Sequence, residues 1–375
     1  MPITEEDLAG YPTGWFAVAF TGQVKRGKLF TSRLAGEDVV VYRTPDGSPR
    51  VIRPYCPHQG AHLGYGGRIE GGELVCPFHA FRFDADGGVC TRAYEGAPPR
   101  VRLTHLPAAE GNGLVFAWYS PVDAPPAWKI HSLPDDGFGA PINWTATYSG
   151  HMLNGFENAI DYRHLPVVHG AVPGPLPSGE LIETDYRTFF MESVMYLTEF
   201  QVKGIRVTFN IRCDGLGQMT VTMYVPQLRL RLRECAGWTP VDPGRFTIRE
   251  ASFNRFDLPP GRLHPARGLA ALGRPVLARL MERGLVRQGY KDIRIWSHCK
   301  FLEHPGLAQD DSPIMEGRRW AKRFYDPERI AALAASLGGD DDLRDHAALL
   351  DGADRLDCPA AAVAAPRSLP AQGGG

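Results

Sequence analysis

The alternation of apolar and polar positions divides the chain into two regions of different character. In the first third, short apolar runs such as Trp15–Phe20, Val39–Tyr42 and Leu114–Trp118 are separated by turn residues, Asp46-Gly47-Ser48 among them. That punctuation predicts a small all-β unit. A proline-rich stretch, Pro121-Val-Asp-Ala-Pro-Pro126, reads as a linker. Beyond it, candidate strands at Ile142–Tyr148, Tyr186–Val194, Gly204–Cys213, Met219–Val225 and Phe246–Phe256 are interrupted by helical signals at 151–170, 264–292 and 326–337. Strands mixed with segregated helices predict an α+β fold for this part. From Gly338 the sequence turns acidic and then rich in Ala, Pro and Gly, a composition that predicts disorder. The expected organisation is residues 1–120, residues 121–337 and a tail, 338–375. No internal repeat is visible.

Composition narrows the class. A chain of 375 residues has room for two domains, and 43% hydrophobic with 22% charged residues fits a soluble globular protein. The 42 Gly and 32 Pro suit turn-rich β structure. A formal net charge of −1 gives no field that would gather nucleic acid. No apolar run is long enough for a transmembrane anchor, and the acidic start lacks the apolar core of a signal peptide. Seven cysteines are an odd number without framework spacing, which argues against disulfides and for a reducing cytoplasm. Cys90, Cys213, Cys235, Cys299 and Cys358 read as ordinary thiols.

The remaining two cysteines carry chemistry. Cys56-Pro-His58 is followed, seventeen residues later, by Cys76-Pro-Phe-His79. Zinc also takes two Cys and two His, but its common ribbons pair like with like. Here each loop offers one thiolate and one imidazole. That suits a cluster with one thiolate-held and one histidine-held iron, since each loop then straddles both metals. A second constellation is Asn158-Ala-Ile-Asp161-Tyr-Arg-His164-Leu-Pro-Val-Val-His169. Asp161 and His164 share a face if the segment is helical. His164 and His169, five apart, do not, so the expectation is that Pro166 distorts the helix and swings His169 round. Two histidines and a carboxylate make the facial triad of non-haem Fe(II), although many histidine pairs at this spacing are purely structural.

Taken together, CPHQGAHLGYGG, CPFHAFRFDADGGVCT and GFENAIDYRHLPVVHG resemble the motifs of Rieske non-haem iron oxygenases. The resemblance implies an N-terminal Rieske [2Fe-2S] domain and a helix-grip-type catalytic domain, an antiparallel sheet flanked by helices. It implies Cys56, His58, Cys76 and His79 as cluster ligands and His164 and His169 as ligands of a mononuclear Fe(II). Asp161 becomes the carboxylate between cluster and iron, and Asn158 a neighbour of the metal. The segment Gln288-Gly-Tyr-Lys-Asp292-Ile-Arg-Ile-Trp296 matches the downstream motif whose Asp binds iron, so Asp292 is the expected third ligand, ahead of Asp310 and Asp311. His62 matches no ligand position and reads as structural. One departure stands out: the family usually has Gly-Trp after the second histidine, and this chain has Ala80-Phe81.

Within the family, the C-terminal motifs Asp292–Trp296, Ser312-Pro-Ile314, Arg318-Arg-Trp320 and Phe324-Tyr325 are similar to those of the steroid-acting branch. That branch includes 3-ketosteroid 9α-hydroxylase oxygenases and Neverland-type cholesterol 7-desaturases. These residues read as framework that packs the last helix on the ligand helix. The resemblance implies an O2-dependent terminal oxygenase that hydroxylates or desaturates an apolar, multi-ring, steroid-like substrate. No flavin or nicotinamide fingerprint is present, so electrons are expected from a separate NAD(P)H-dependent reductase or ferredoxin. The family arrangement is a head-to-tail homotrimer. Several rivals remain. A pure electron carrier fails on length and on the second metal motif. An aromatic-ring dioxygenase subunit would usually need a small partner chain. A monooxygenase of secondary metabolism acting on an alkaloid, polyketide or aromatic compound stays open, since fold does not fix substrate. The basic amphipathic segment 264–287 reads first as a surface helix over the pocket, and second as a docking element.

Overall fold

In the computed structural model, residues 2–169, 182–186, 189–197, 207–226, 229–257, 283–284 and 286–336 are described. Four antiparallel sheets carry them. The first pairs β1 (Gly14–Phe20) with β11 (Leu114–Tyr119), and β11 with β10 (Ala108–Gly111). The second runs β2 (Phe30–Leu34), β3 (Glu37–Arg43), β4 (Pro49–Ile52), β9 (His105–Leu106). The third is a small meander of β5 (Arg68–Glu70), β6 (Glu73–Val75), β7 (Arg82–Asp84) and β8 (Cys90–Arg92). The fourth has seven strands in the order β12 (Ile142–Ser149), β18 (Arg245–Phe256), β17 (Leu230–Asp242), β16 (Gln218–Val225), β15 (Val207–Asp214), β14 (Phe190–Leu197), β13 (Ile182–Tyr186).

β1 shows why a continuous apolar run was needed. All seven of its residues are buried, because it packs on both faces. On one side it meets the seven-stranded sheet so closely that Gly237 has no room for a methyl group against Ala17. Thr239 donates from its hydroxyl to the Ala17 carbonyl at 2.5 Å, and Arg249 donates to the same oxygen at 2.9 Å. The main core therefore joins β1 and β11 to the seven-stranded sheet, while a separate apolar cluster around Leu63, Leu74, Phe81 and Phe83 surrounds Cys56 and Cys76. After the proline-rich stretch the chain is anchored at once by Trp128, packed edge-on to Trp118 at 4.7 Å and stacked on Phe189 at 4.8 Å.

The helices lie on the other side of the seven-stranded sheet. α1 is Glu5–Leu8, α2 is Met152–Ile160, α3 covers 286–296, α4 is Ile314–Ala321 and α5 is Pro327–Ser336. Trp238 of β17 presses on Gly155 of α2, and Tyr148 of β12 lies 5.9 Å from the Trp296 ring of α3. α4 stacks Trp320 on Phe156 of α2 at 5.0 Å. Arg318 donates to Glu157 at 2.5 Å and lies over the Phe301 ring.

Several sequence expectations need correction. Tyr186–Val194 is not one strand: β13 ends at Tyr186 and β14 starts at Phe190, forming a hairpin. The 13-residue β17 was not foreseen, although Leu230-Arg-Leu-Arg233 alternates with a period of two. The 151–170 segment is not a single helix: α2 stops at Ile160 and a separate π-turn covers Leu165–His169. Of the 264–292 helix, residues 264–282 lie outside the described residues, and so does the whole 338–375 tail. Among the described residues, no helix is long and apolar enough to cross a membrane.

Candidate metal centres

The first centre is built from two loops with one backbone plan. The Cys56 amide donates to the Ala61 carbonyl and Gly60 donates back to Cys56, both at 2.9 Å. Likewise Cys76 donates to Phe81 at 2.9 Å and Ala80 donates back to Cys76 at 3.1 Å. Each loop closes through a left-handed residue, Gly60 at φ 73° and Ala80 at φ 57°. The Gly-to-Ala departure thus falls where a Cβ strains the backbone. Ala80 is exposed, so its effect is on the turn. Phe81 is buried, and the His58 ring stacks flat on it at 4.1 Å and 9°. His58 and His79 lie 4.9 Å apart, both half-buried. Cys56 and Cys76 are 2% and 1% exposed. Burial, with Cys76 alongside, pushes the Cys56 thiol up to about 11. Two such neighbouring thiols become thiolates when a cationic centre sits between them, which is what this donor set suits. His62 points elsewhere: its Nε2 faces Asp38 at 3.3 Å and its Nδ1 accepts from the Gly64 amide.

The second centre forms where α2 breaks. Asp161 caps α2 with an extended ψ of 105°, so it meets His164 across a bend rather than along a helix face. The π-turn that follows closes i to i+5 and so suits a histidine pair spaced five apart. Pro166 sits in its first turn, where no amide donor is required. The His164 and His169 rings come to 5.1 Å. α3 brings Asp292 from 123 residues away, and ligand-type atoms of His164, His169 and Asp292 all lie within 4.8 Å of one another. His169 Nε2 is 3.2 Å from Asp292 Oδ1, and Asp292 is 6% exposed. His164 Nδ1 faces Asp161, but its Nε2 is buried without a hydrogen-bond partner, an expensive state unless a further group is bound. Two imidazoles and a carboxylate converging this way fit a divalent iron.

Around this triad lie residues the sequence reading passed over. Gln288, one helical turn before Asp292, accepts from His169 Nδ1 at 3.2 Å, which leaves Nε2 free to face the triad. Ser312, in a motif that reads as framework, donates to Asp161 Oδ1 at 2.9 Å and accepts from the Tyr162 amide at 3.1 Å. Asp161 Oδ2 lies 3.4 Å from His164 Nδ1. Burial alone would raise the Asp161 carboxyl, but His164, the Arg163 amide and Ser312 outweigh it and hold it below the ordinary range. Asp310 pairs instead with Arg163 at 2.7 Å, and Asp311 caps a turn at Ala308. Asn158 is half-buried in the last turn of α2, one turn before Asp161.

Fold and centres together define a Rieske-type oxygenase. Residues 14–104 match the Rieske [2Fe-2S] domain and residues 117–325 match the 3-ketosteroid 9α-hydroxylase C-terminal domain, and the chain belongs to that family. It is 27% identical over 350 residues to cholesterol 7-desaturase nvd of Xenopus laevis, covering 84% of this chain and 72% of that protein. It is 23% identical over 330 residues to the oxygenase component of 3-ketosteroid-9-alpha-monooxygenase of Rhodococcus rhodochrous, covering 84% of each. Among solved structures, dicamba monooxygenase bound to dicamba shares the fold at a TM-score of 0.57 and 18% identity, covering 88% of this chain and all (100%) of that one. The QL mutant of Pseudomonas putida CBB5 NdmA with theobromine does so at 0.65 and 14%, covering 88% and 96%. The chain is an O2-dependent oxidoreductase of this family.

Proposed function

We propose that this chain is the terminal oxygenase of a multicomponent system that hydroxylates or desaturates a steroid- or sterol-like substrate. The observation that carries the reading is the convergence of His164, His169 and Asp292, from two distant segments, below a largely apolar sheet face. In this reading Cys56, His58, Cys76 and His79 hold the [2Fe-2S] cluster, and the triad holds Fe(II). The cluster supplies electrons singly and the iron supplies the activation of O2. The protein's own work is placement. Gln288 fixes the His169 tautomer, Asp292 contributes charge from a buried position, and Asn158 stands beside the metal-binding turn. Asp161, held by Ser312, links His164 to the His79 of a neighbouring subunit.

That link requires a head-to-tail homotrimer, in which the domain ending near residue 120 faces a neighbour's catalytic domain, 121–337. Exposed apolar side chains at both edges support it. Phe78 and Tyr94 flank the cluster histidines at 62% exposure each, and Val167, in the metal-binding turn, is 85% exposed. The steroid assignment draws on the relatives named above. A separate NAD(P)H-linked reductase or ferredoxin and a cytoplasmic location complete the reading. The test is purified protein carrying about three irons and two sulfides per chain, supplied with a surrogate reductase and a steroid panel. Steroid-dependent NADH oxidation with an oxidised product is expected. Stoichiometric zinc, or turnover confined to small aromatics or alkaloids, refutes it.

A further inference from the structure

Register on the seven-stranded sheet lines up two arginines with two threonines between them. Along β17, Gly237 and Thr239 meet Ala17 of β1, whereas Trp238 meets Gly155 of α2. Arg233 shares the parity of Gly237, so it lies on the β1 side of the sheet, away from the metal-binding residues. On that face Arg212 of β15 stands directly opposite Thr220 of β16, and Thr222 of β16 directly opposite Arg233. The two arginines therefore flank the hydroxyl pair across three neighbouring strands, with about 10 Å between β15 and β17.

Residues 131–138, just past the proline-rich stretch, cross over this row as a strap. Gln218 accepts from the His131 amide at 3.1 Å and donates to the His131 carbonyl at 2.7 Å, and Asn112 accepts from the Leu133 amide at 2.9 Å. Between strap and sheet lies a cavity of about 180 Å³, lined among others by His131, Arg212, Thr220, Thr222 and Arg233. Pockets for drug-sized ligands start at about 300 Å³, so this one suits a smaller molecule than a multi-ring substrate.

Both arginines are fixed from outside the row. Arg212 donates through Nε and Nη2 to Asp214 at 3.0 and 2.7 Å, which leaves Nη1 over. Arg233 donates through Nη1 to the Pro134 carbonyl at 2.6 Å and through Nη2 to Asp136 at 2.7 Å, and lies over the Phe138 ring. Its Nε is buried without a hydrogen-bond partner. Thr220 is 4% exposed, and its hydroxyl has no partner either. Glu192 also lines the cavity, but it stands on β14, across Arg212 from Thr220, and accepts from Asn210 at 2.8 Å. Burial above all holds the His131 imidazole below its ordinary range, so the roof adds a neutral ring. A guanidinium edge and a hydroxyl left without acceptors beside a cavity are costly unless something supplies them.

We propose that this cavity is a second binding site, for a small oxyanion, carboxylate or phosphate, seated over Thr220 and Thr222 between Arg212 and Arg233. It lies on the opposite face of the sheet from the metal centre and is independent of the substrate reading above. The row presents guanidinium and hydroxyl hydrogens from both sides. An oxyanion brings several acceptor oxygens together with the charge that strengthens each bond to a guanidinium. An amide of the same shape brings fewer acceptors and no charge, and an ammonium brings no acceptor.

The experiment is titration calorimetry on the full, metal-loaded chain, with malonate and phosphate as probes and malonamide as the neutral match to malonate. At least one anion should bind one-to-one with a Kd below about 1 mM, and malonamide at least about tenfold more weakly than malonate if malonate binds. At ten times Kd the bound anion should raise Tm by about 2–4 °C. Thr220→Val, which keeps the side chain's shape, should weaken the anion at least about fivefold, and Arg233→Met at least about tenfold. His169→Ala, which strips a ligand from the metal centre, should bind the anion as wild type does. Binding of phosphate alone assigns the site to a phosphorylated molecule, and binding of malonate alone to a carboxylate. The proposal is overturned by no saturable binding of either anion up to about 10 mM. Malonamide binding as tightly as malonate, an affinity that neither Thr220→Val nor Arg233→Met changes, or binding lost in His169→Ala overturns it equally.

Discussion

Gln288→Leu tests whether the second centre is pre-shaped by its surroundings. The Gln288 carbonyl oxygen accepts from His169 Nδ1 at 3.2 Å, and this bond sets which ring nitrogen faces Asp292. As a neutral bond it contributes about 1 kcal/mol, a factor of roughly five in affinity. Losing it also frees the ring to adopt the other tautomer and to rotate, which brings the expected loss of iron affinity to about 10–100-fold, or about 1.4–2.7 kcal/mol. Leucine keeps the bulk and helical propensity of α3, so the helix carrying Asp292 stays in place. The assay is chelator competition for the mononuclear iron on cluster-loaded protein. The cluster's visible spectrum serves as an internal control, since its residues lie in another sheet. Gln288→Glu, with a stronger acceptor, should retain affinity. An iron affinity for Gln288→Leu within threefold of wild type refutes the reasoning and leaves Gln288 a bystander.

Three further outcomes are expected. Arg318→Met strands Glu157 beside α2 and should cost about 3–5 kcal/mol in denaturant unfolding, while Arg318→Met with Glu157→Met recovers most of it. Burial already raises the Glu157 carboxyl despite Arg318, and removing the arginine raises it further. A folded-state value above the unfolded one means stability falls as pH rises above about 4.3, so the penalty should grow from pH 4 to neutrality; a pH-independent penalty contradicts this. Ala80→Gly relieves the left-handed strain at φ 57° and should stabilise by about 1 kcal/mol, read as a Tm rise of a few degrees. Finally, Cys76→Ala and His169→Ala should each be inactive alone but regain activity in co-expressed, doubly tagged mixed oligomers. Purified mixed oligomers without activity rule out transfer between subunits.

The sequence was most legible where chemistry demands fixed local spacing. Cys56-Pro-His58, Cys76-Pro-Phe-His79 and the His164/His169 pair were readable because each set is supplied by one loop or one turn. β1 and β11 were readable because packing on both faces or in mid-sheet enforces unbroken apolar runs. β17 was missed because its apolar partners are interleaved with arginines that reach across the sheet's other face: Arg233 donates to the Pro134 carbonyl at 2.6 Å and lies over the Phe138 ring. Alternation of Leu with Arg is still alternation, and the period-two rule finds it once arginine is allowed a half-buried stem.

The harder lesson lies in Ser312. Its motif, Ser312-Pro-Ile314, was legible as ancestry, and Arg318, Trp320 and Phe324 do pack as framework against α2 and its surroundings. Only the fold reveals that Ser312, 151 residues from Asp161, places its hydroxyl between that carboxylate and the Tyr162 amide. The bend after α2 leaves the Tyr162 amide without a helical acceptor, and the half-buried Asp161 carboxylate needs a donor. One hydroxyl answers both needs, so it couples the position of the helix break to the position of the charge. The residue whose motif marks lineage therefore also sets where Asp161 stands relative to His164.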